Sequence, residues 1–394
     1  MSADGLRLGY SFWGFLGDVK FDPAGQPLST PDGNASYSWS ILHEAQRRGW
    51  RTHLMMPDRD RPAWAQRGAD VFSSFSRDMR ASAYSSAWRK GDGRVFLPEL
   101  DVLLVEWRFP IPGRNVGPGA NQPDLEIQSR LLEHYKSRGT RVVLWDLDHK
   151  LTGLDEAWWD PDAVFETSVA PRELTRKRVR VEPPFVTGEL LQHPTLPSDP
   201  WRELVYVGSR YERDDVITQY VGPVAARRPG RVEFHGNWLR DLQACERLWP
   251  GVKFHDRVTM ADFRRVYGSA VACPLLAKRS YMETGFITPR IWEALLFGTI
   301  PVGFTEHRGI REYLPDELVV GSSGELGAVA DRLLFMTREK RDELRRSLVE
   351  RIEFMDARHF VDRVQEVVES GMGRDLAGPA QAELGQAATA DGGA

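Results

Sequence analysis

"ETGFITPRIWEALLFGTIPVGF", residues Glu283 to Phe304, sets an acid, a glycine, a proline and an arginine ahead of an apolar run, then Gly298 and a short strand-like segment. Proline suits a helix start, where its missing N–H would be unpaired in any case, so the spacing predicts a helix from about Pro289 to Phe297. Arg290 and Glu293 fall in its first turns. A helix N-terminus attracts phosphate through free N–H groups, and a forked guanidinium strengthens that attraction. A carboxylate one turn along accepts hydrogen bonds, as vicinal ribose hydroxyls require. With Lys278 and Arg279 upstream, the stretch describes a seat for a nucleoside diphosphate. The plainer reading is a core helix of Ile291, Trp292, Ala294, Leu295 and Leu296 with Glu293 on its solvated face.

Outward from this stretch, "ELVYVG", "RVEFHG", "GVKFHD", "AVACPL" and "TIPVGF" are strand candidates separated by helical segments such as "TMADFRRVYGS". The same grammar fills the first half: "LRLGYSF", "RTHLMMP", "DVLLVEW" and "TRVVLWDLD" read as strands, with "SYSWSILHEAQRRGW" and "DLEIQSRLLEHYKSRG" as helices. Nearly all-apolar strands alternating with helices mark a parallel sheet covered on both faces. The chain's 394 residues exceed one ordinary core. The expectation is an α/β protein of two Rossmann-like, doubly wound domains facing across a cleft. The first spans 1–190, a Pro-rich linker 191–203, the second 204–373, and an Ala/Gly-rich tail expected to be disordered spans 374–394.

Hydrophobic content of 41% and charged content of 27% are ordinary for a soluble globular chain. No membrane span and no secretion signal is expected. Cys245 and Cys273 lie in different elements without metal-site spacing, so a cytoplasmic setting is expected. A net charge of -4 means that any nucleic acid would need a local basic patch.

"RIWEALLFGTIPV", preceded by "METG" and by "VKFHDRVTMADFRRVYGSAVACPLL", resembles the nucleotide-binding half of GT-B glycosyltransferases, over about residues 200–370. The resemblance implies that Glu293 binds ribose and that Lys278 and Arg279 hold the diphosphate. It adds the turn of "YVGSRYERDD", with Ser209 and Arg210, to a donor site that Thr288 and Arg290 at the helix start already suggest; Arg213 in that turn reads equally as a surface ion pair. In retaining members the two glutamates stand closer together than Glu283 and Glu293 do here, so the resemblance fixes neither the role of Glu283 nor the stereochemical outcome.

In the first domain, the long connection "WGFLGDVKFDPAGQPLSTPDGN" is of a length that more often carries function than not. It ends on Gly33 and Asn34, a turn through which backbone can approach the donor. Transfer by direct displacement needs a base at the acceptor hydroxyl, and Glu106, Asp18 and Asp146 are the candidates, in that order. "DLD" imitates a metal-binding pair of another glycosyltransferase fold, yet no required metal is expected, only a nucleotide-sugar co-substrate, taken to be a UDP-sugar. "FHGNW" and "HDRV" end strands where a base could be edged by backbone.

Basic residues interleaved with aromatics between Arg59 and Arg94, including Arg77, Arg80, Trp88, Arg89 and Lys90, suit a phosphate backbone and an unstacked base, as do Arg108 and the run "RELTRKRVR". The wording "LGYSFWGFLG", "EWRFPIPGRN", "WDLDHKL" and "LVYVGSRYERDD" is similar to actinobacterial and actinophage glycosyltransferases. Phage members of the wider class glycosylate hydroxymethylated bases in DNA, which makes modified DNA a candidate acceptor. Two rival functions remain open: a UDP-sugar epimerase or hydrolase of the same fold, and a non-catalytic modified-DNA-binding module.

Overall fold

The computed structural model describes residues 5–12, 33–56, 70–73, 89–90, 97–107, 132–147, 149, 151, 159–167, 169, 177–185, 200, 202–258 and 260–370. Its first domain holds strands β1 (Arg7–Phe12), β2 (Arg51–Met56), β3 (Asp70–Ser73), β4 (Arg89–Lys90), β5 (Val102–Glu106), β6 (Arg141–Asp146), β7 (Ala163–Glu166) and β8 (Arg178–Arg180). Their order across the sheet is β4-β3-β2-β1-β5-β6-β7-β8, parallel except where β4 runs antiparallel to β3. Helix α1 (Gly33–Arg47) connects β1 to β2.

The second domain repeats the scheme with β9 (Arg202–Val207), β10 (Val232–His235), β11 (Val252–His255), β12 (Ala270–Pro274), β13 (Ile300–Phe304) and β14 (Val319–Val320), in the order β11-β10-β9-β12-β13-β14. In each sheet the chain first steps outward one way, then returns to the centre and steps the other way. The reversal lies between β1 and β5 in one sheet and between β9 and β12 in the other. At such a switch point neighbouring connections leave on opposite faces and open a crevice at the carboxyl ends.

The opening stretch folds as its composition dictates. Helix α4 is approached through α2 (Met260–Tyr267) and the short α3 (Arg279–Thr284), and itself spans Arg290–Phe297. Gly298 ends it with φ 98°, a left-handed conformation costly to any residue with a Cβ, and Thr299 N–H closes onto the Ala294 carbonyl at 2.9 Å. The helix is covered on several sides. Trp292 stacks on Phe185 at 5.6 Å, Ala294 packs with Val205 and Phe263, and the Leu295 carbonyl accepts a bond from buried Arg345 at 3.2 Å. Each fully buried large apolar side chain here contributes about 1.5–3 kcal/mol. Glu293 is not on a solvated face: it is only 7% exposed.

The carboxyl ends of the two sheets face each other. His149, just beyond β6, sets its ring edge-on to Phe286 at 5.7 Å, and Val169, beyond β7, packs against the backbone at Gly285 and Gly309. Arg180 on β8 pairs with Glu312, and Tyr313 donates to Glu182 at 2.6 Å. The last described helix, α5 (Ala357–Ser370), lies by sequence within the span of the second domain but packs on the first sheet. Its Phe360 meets Trp145 at 4.9 Å and Phe165 at 5.3 Å, and Arg48 pairs with Asp362. Strand β9 begins at Arg202, inside the span read as linker. The tail from 374 onward and most of the linker lie outside the described residues.

Phe360→Ala should cost about 3–5 kcal/mol, the usual cost of deleting a buried aromatic ring, and lower the urea midpoint. A second test concerns His307, whose Nε2 lies 3.1 Å from the Phe286 carbonyl oxygen; burial pushes its pKa down to about 4 from 6.5. The unfolded chain then takes up this proton at higher pH than the folded one. The contribution is full above the unfolded value and is lost as pH falls from 6.5 toward about 4. His307→Gln should flatten the loss of stability across that window in pH-dependent urea melts.

Candidate active site

The carboxyl end of β9 gathers most of the site. Arg290 at the start of α4 donates from Nε to the Val207 carbonyl at 2.7 Å, and its guanidinium carbon lies 5.1 Å from the Tyr206 ring centroid. A Cβ on Gly208 would collide with that guanidinium and with the Tyr206 hydroxyl, so only glycine lets the turn pass this close. Gly208 is tied from both sides: its N–H donates to His235 O at 2.8 Å and its carbonyl accepts from Trp238 Nε1 at 2.8 Å.

Arg213 sits beneath the same turn, 6% exposed, donating to the carbonyls of Tyr211 at 2.7 Å, Leu276 at 3.2 Å and Ser209 at 3.3 Å. Among the described residues neither Arg213 nor Arg290 forms an ion pair. Burial lowers the Arg213 pKa, and the Arg290 charge lowers it further, so the two cations disfavour each other. The buried Tyr206 hydroxyl finds no hydrogen-bond partner among the described residues. Glu293 partly offsets the Arg290 charge, whereas buried Arg213 forms no ion pair among the described residues, and an anion seated at the turn would supply its counter-charge. Lys278 adds a third charge: its Nζ lies over the rings of Tyr211 at 4.4 Å and Tyr281 at 4.7 Å, and 3.6 Å from Glu212.

Glu293, one turn from Arg290, accepts a bond from the Tyr267 hydroxyl at 3.1 Å. Burial raises its pKa, and Arg290 opposes that shift. A carboxylate held this way offers acceptor oxygens to ligand hydroxyls beside the anion pocket. Thr288 is buried immediately before the helix.

Three donor candidates stand apart from this group. Arg210 turns onto Asp214, one helical step on, with Nε–Oδ1 at 2.9 Å and Nη2–Oδ2 at 2.5 Å, because an aspartate at i+4 offers a fork-matched partner. Arg279 pairs with Glu306 and, at 3.4 Å, with Asp215. Glu283 is exposed on α3, with no hydrogen bond or ion pair to the Arg290 group. Ser209 lies in the turn itself, its carbonyl held by Arg213.

In the first domain Glu106 ends β5 opposite Phe12 of β1, at the switch point. It is fully buried, and the Tyr10 hydroxyl donates to its Oε2 at 2.6 Å. Strand alternation separates the acids. Glu106 is in register with Trp145, so it shares the face of Tyr10 and Trp145, whereas Asp146 points to the other face beside Glu166. Asp146 Oδ1 accepts the Leu151 N–H at 3.1 Å, which holds a turn. Glu166, not anticipated from sequence, pairs with buried Arg178 at 2.5 Å. Arg178 and Arg180, the described end of the basic run "RELTRKRVR", are thus engaged by carboxylates and offer no patch to nucleic acid.

Gly33 and Asn34 open α1, and Arg89 and Lys90 form β4. Asp18, Arg77, Arg80, Trp88 and Arg108 lie outside the described residues. Sequence reading also missed a group at the ends of β10 and β11, where Glu233, His235 and His255 bring ligand-type atoms together. The available signal was an acid and a histidine two apart on one strand, with a histidine at the matching end of the next.

No family model and no curated protein sequence matches the chain. Solved structures do match in fold. An α-glucosyltransferase in complex with UDP and a 13-mer DNA containing an HMU base has a TM-score of 0.60 at 12% identity, covering 93% of this chain and 100% of that one. T4 phage β-glucosyltransferase with UDP and Mn2+ gives 0.52 at 13%, over 92% and 99%. An Anabaena protein in complex with UDP gives 0.52 at 12%, over 93% and 100%. The chain has the GT-B fold.

Inorganic pyrophosphate should raise the thermal midpoint by mass action. Arg290→Ala should remove that shift, and Arg210→Ala should leave it nearly intact because Asp214 already neutralises Arg210. The reverse pattern would place the anion on the other side of the turn.

Proposed function

We propose that the chain is a glycosyltransferase that takes a sugar from a nucleoside diphosphate sugar, a UDP-sugar, and passes it to a hydroxyl acceptor. The observation that carries this reading is two guanidiniums, buried Arg213 and half-buried Arg290, that meet at the glycine turn of the second sheet's switch point and form no ion pair among the described residues. A diphosphate supplies the counter-charge they lack. Glu293 and Lys278 would take the roles that the resemblance implies, Arg290 the phosphate-binding role its place at the helix start implies, and the proteins of like fold were solved with UDP.

In this reading the diphosphate lies along the Gly208–Ser209 turn against Arg213, Arg290, Lys278 and the Tyr206 hydroxyl. These groups are fixed before the donor arrives, so they stabilise the charge that grows on the leaving diphosphate without reorganising. Their charge makes a metal at the phosphates unnecessary. Glu293 accepts from the ribose hydroxyls. Among the candidate bases Glu106 is favoured, because Glu166 is neutralised by Arg178 and Asp146 holds a turn. Glu106 accepts a bond from the Tyr10 phenol, and an acceptor hydroxyl reaches it by displacing the side chains that bury it.

The acceptor in this reading is a hydroxymethylated pyrimidine in DNA. The support is the DNA bound by one protein of like fold, together with the basic aromatic segment between Arg59 and Arg94.

Four measurements test the reading. In a thermal-shift screen, UDP should stabilise the protein more than GDP, ADP or TDP, and Glu293→Ala should weaken the UDP effect. Glu106→Gln should lower kcat about 10²–10⁴-fold, the usual worth of a general base, with UDP affinity unchanged. A UDP-sugar mixed with the protein alone should stay intact; rapid release of UDP or an epimerised sugar would favour an epimerase or hydrolase. Affinity for hydroxymethylated DNA should fall steeply with salt, and a flat response would remove DNA as the acceptor.

A further inference from the structure

Beside the donor pocket, on the face of the second sheet that carries α2 and α4, two neighbouring strands end on histidines. His235 and His255 are in register on β10 and β11, and their rings stack at 4.4 Å between centroids with planes 11° apart. Both Nε2 atoms lie near a single carboxylate oxygen, and ligation of one ion would turn the rings out of parallel, since an imidazole binds a metal in its own plane. Glu233 Oε2 lies 3.2 Å from His255 Nε2 and 3.5 Å from His235 Nε2. Glu233 is 1% exposed and His235 6%, and Glu233 Oε2 and both ring nitrogens of His235 have no hydrogen-bond partner of acceptable geometry among the described residues.

We propose that Glu233, His235 and His255 bind one divalent first-row transition ion of the zinc class. Ligands held at about 2.0–2.1 Å from a tetrahedral centre are about 3.3 Å apart, and the two measured separations bracket that edge. Two imidazoles and one carboxylate suit zinc, cobalt or nickel; magnesium and calcium prefer all-oxygen sets. Arg202 Nε holds the other carboxylate oxygen, Oε1, at 2.5 Å, the kind of outer partner that fixes a ligating carboxylate in place. The His255 side chain is 41% exposed, so the fourth position opens to water and the ion has an entry path.

The site shares backbone with the donor turn. His235 O accepts from Gly208 N–H at 2.8 Å, and His255 O accepts from Gly236 N–H at 3.2 Å. A bound ion therefore cross-links the carboxyl ends of β10 and β11 next to Arg290. The inference stands independently of the donor reading, since it rests on different residues.

The test uses the full chain without an affinity tag, stripped with EDTA and titrated with Co2+ and then Zn2+. One Co2+ per chain should bind with the visible ligand-field bands of a four-coordinate ion, Zn2+ should displace it, and the thermal midpoint should rise. His255→Ala, at the partly exposed ligand, should weaken Co2+ affinity more than about 100-fold, beyond the loss from an outer partner alone. Circular dichroism would confirm that this variant stays folded. Absence of stoichiometric Co2+ binding by the native chain, or equal affinity in His255→Ala, would overturn the proposal and leave two imidazoles donating to a buried carboxylate.

Discussion

Two guanidiniums that lack a carboxylate partner, at the carboxyl end of β9, set the terms for everything around them. Arg213 and Arg290 approach the same glycine turn from below and from the helix side, and each spends its hydrogen bonds on carbonyl oxygens, which do not cancel charge. A protein built for stability alone would pair such cations or replace them with apolar side chains, since burying an uncompensated charge costs several kcal/mol. Set at a switch point, they concentrate positive charge around the glycine turn. The surrounding devices serve that geometry: a glycine at 208, Trp238 and His235 clamping the turn, and Tyr267 holding Glu293.

The first domain meets this pocket through contacts that are small and mixed in character. His149 against Phe286, Val169 against two glycines, and the Arg180–Glu312 pair join the carboxyl ends, while α5 anchors the second half of the chain on the first sheet through Phe360. A second apolar contact joins the halves where Trp292 stacks on Phe185.

Much of this was legible in the sequence for a definite reason. Apolar runs and period-3.6 patterns report which faces are buried, so β1, β2, β5 and β6, β9 to β13 and the helix after Pro289 could be placed without coordinates, whereas the short buried β7 was not read. β8 escaped notice because its Arg-Val-Arg composition imitates a solvated basic run; only the facing acids Glu166, Glu182 and Glu312 make it a strand with buried or half-buried arginines. Lys278 and Arg279 looked equivalent as neighbours, yet one lies over two tyrosine rings near the pocket and the other is drawn to Glu306 and Asp215.

By itself the sequence determined the fold class, the two-domain plan and the helix that carries Arg290 and Glu293, because these follow from local periodicity and from proline and glycine at the helix ends. Only the tertiary structure decided which charges are left uncompensated. Arg210 and Arg213 lie three residues apart in one turn, and nothing along the chain shows that the first is neutralised by Asp214 while the second is buried beneath the turn. It also decided that Glu106 and Asp146 face opposite sides of their sheet, and that histidines twenty residues apart stand ring on ring. Ion pairing and register are relations between distant segments, set by how sheets and helices stack.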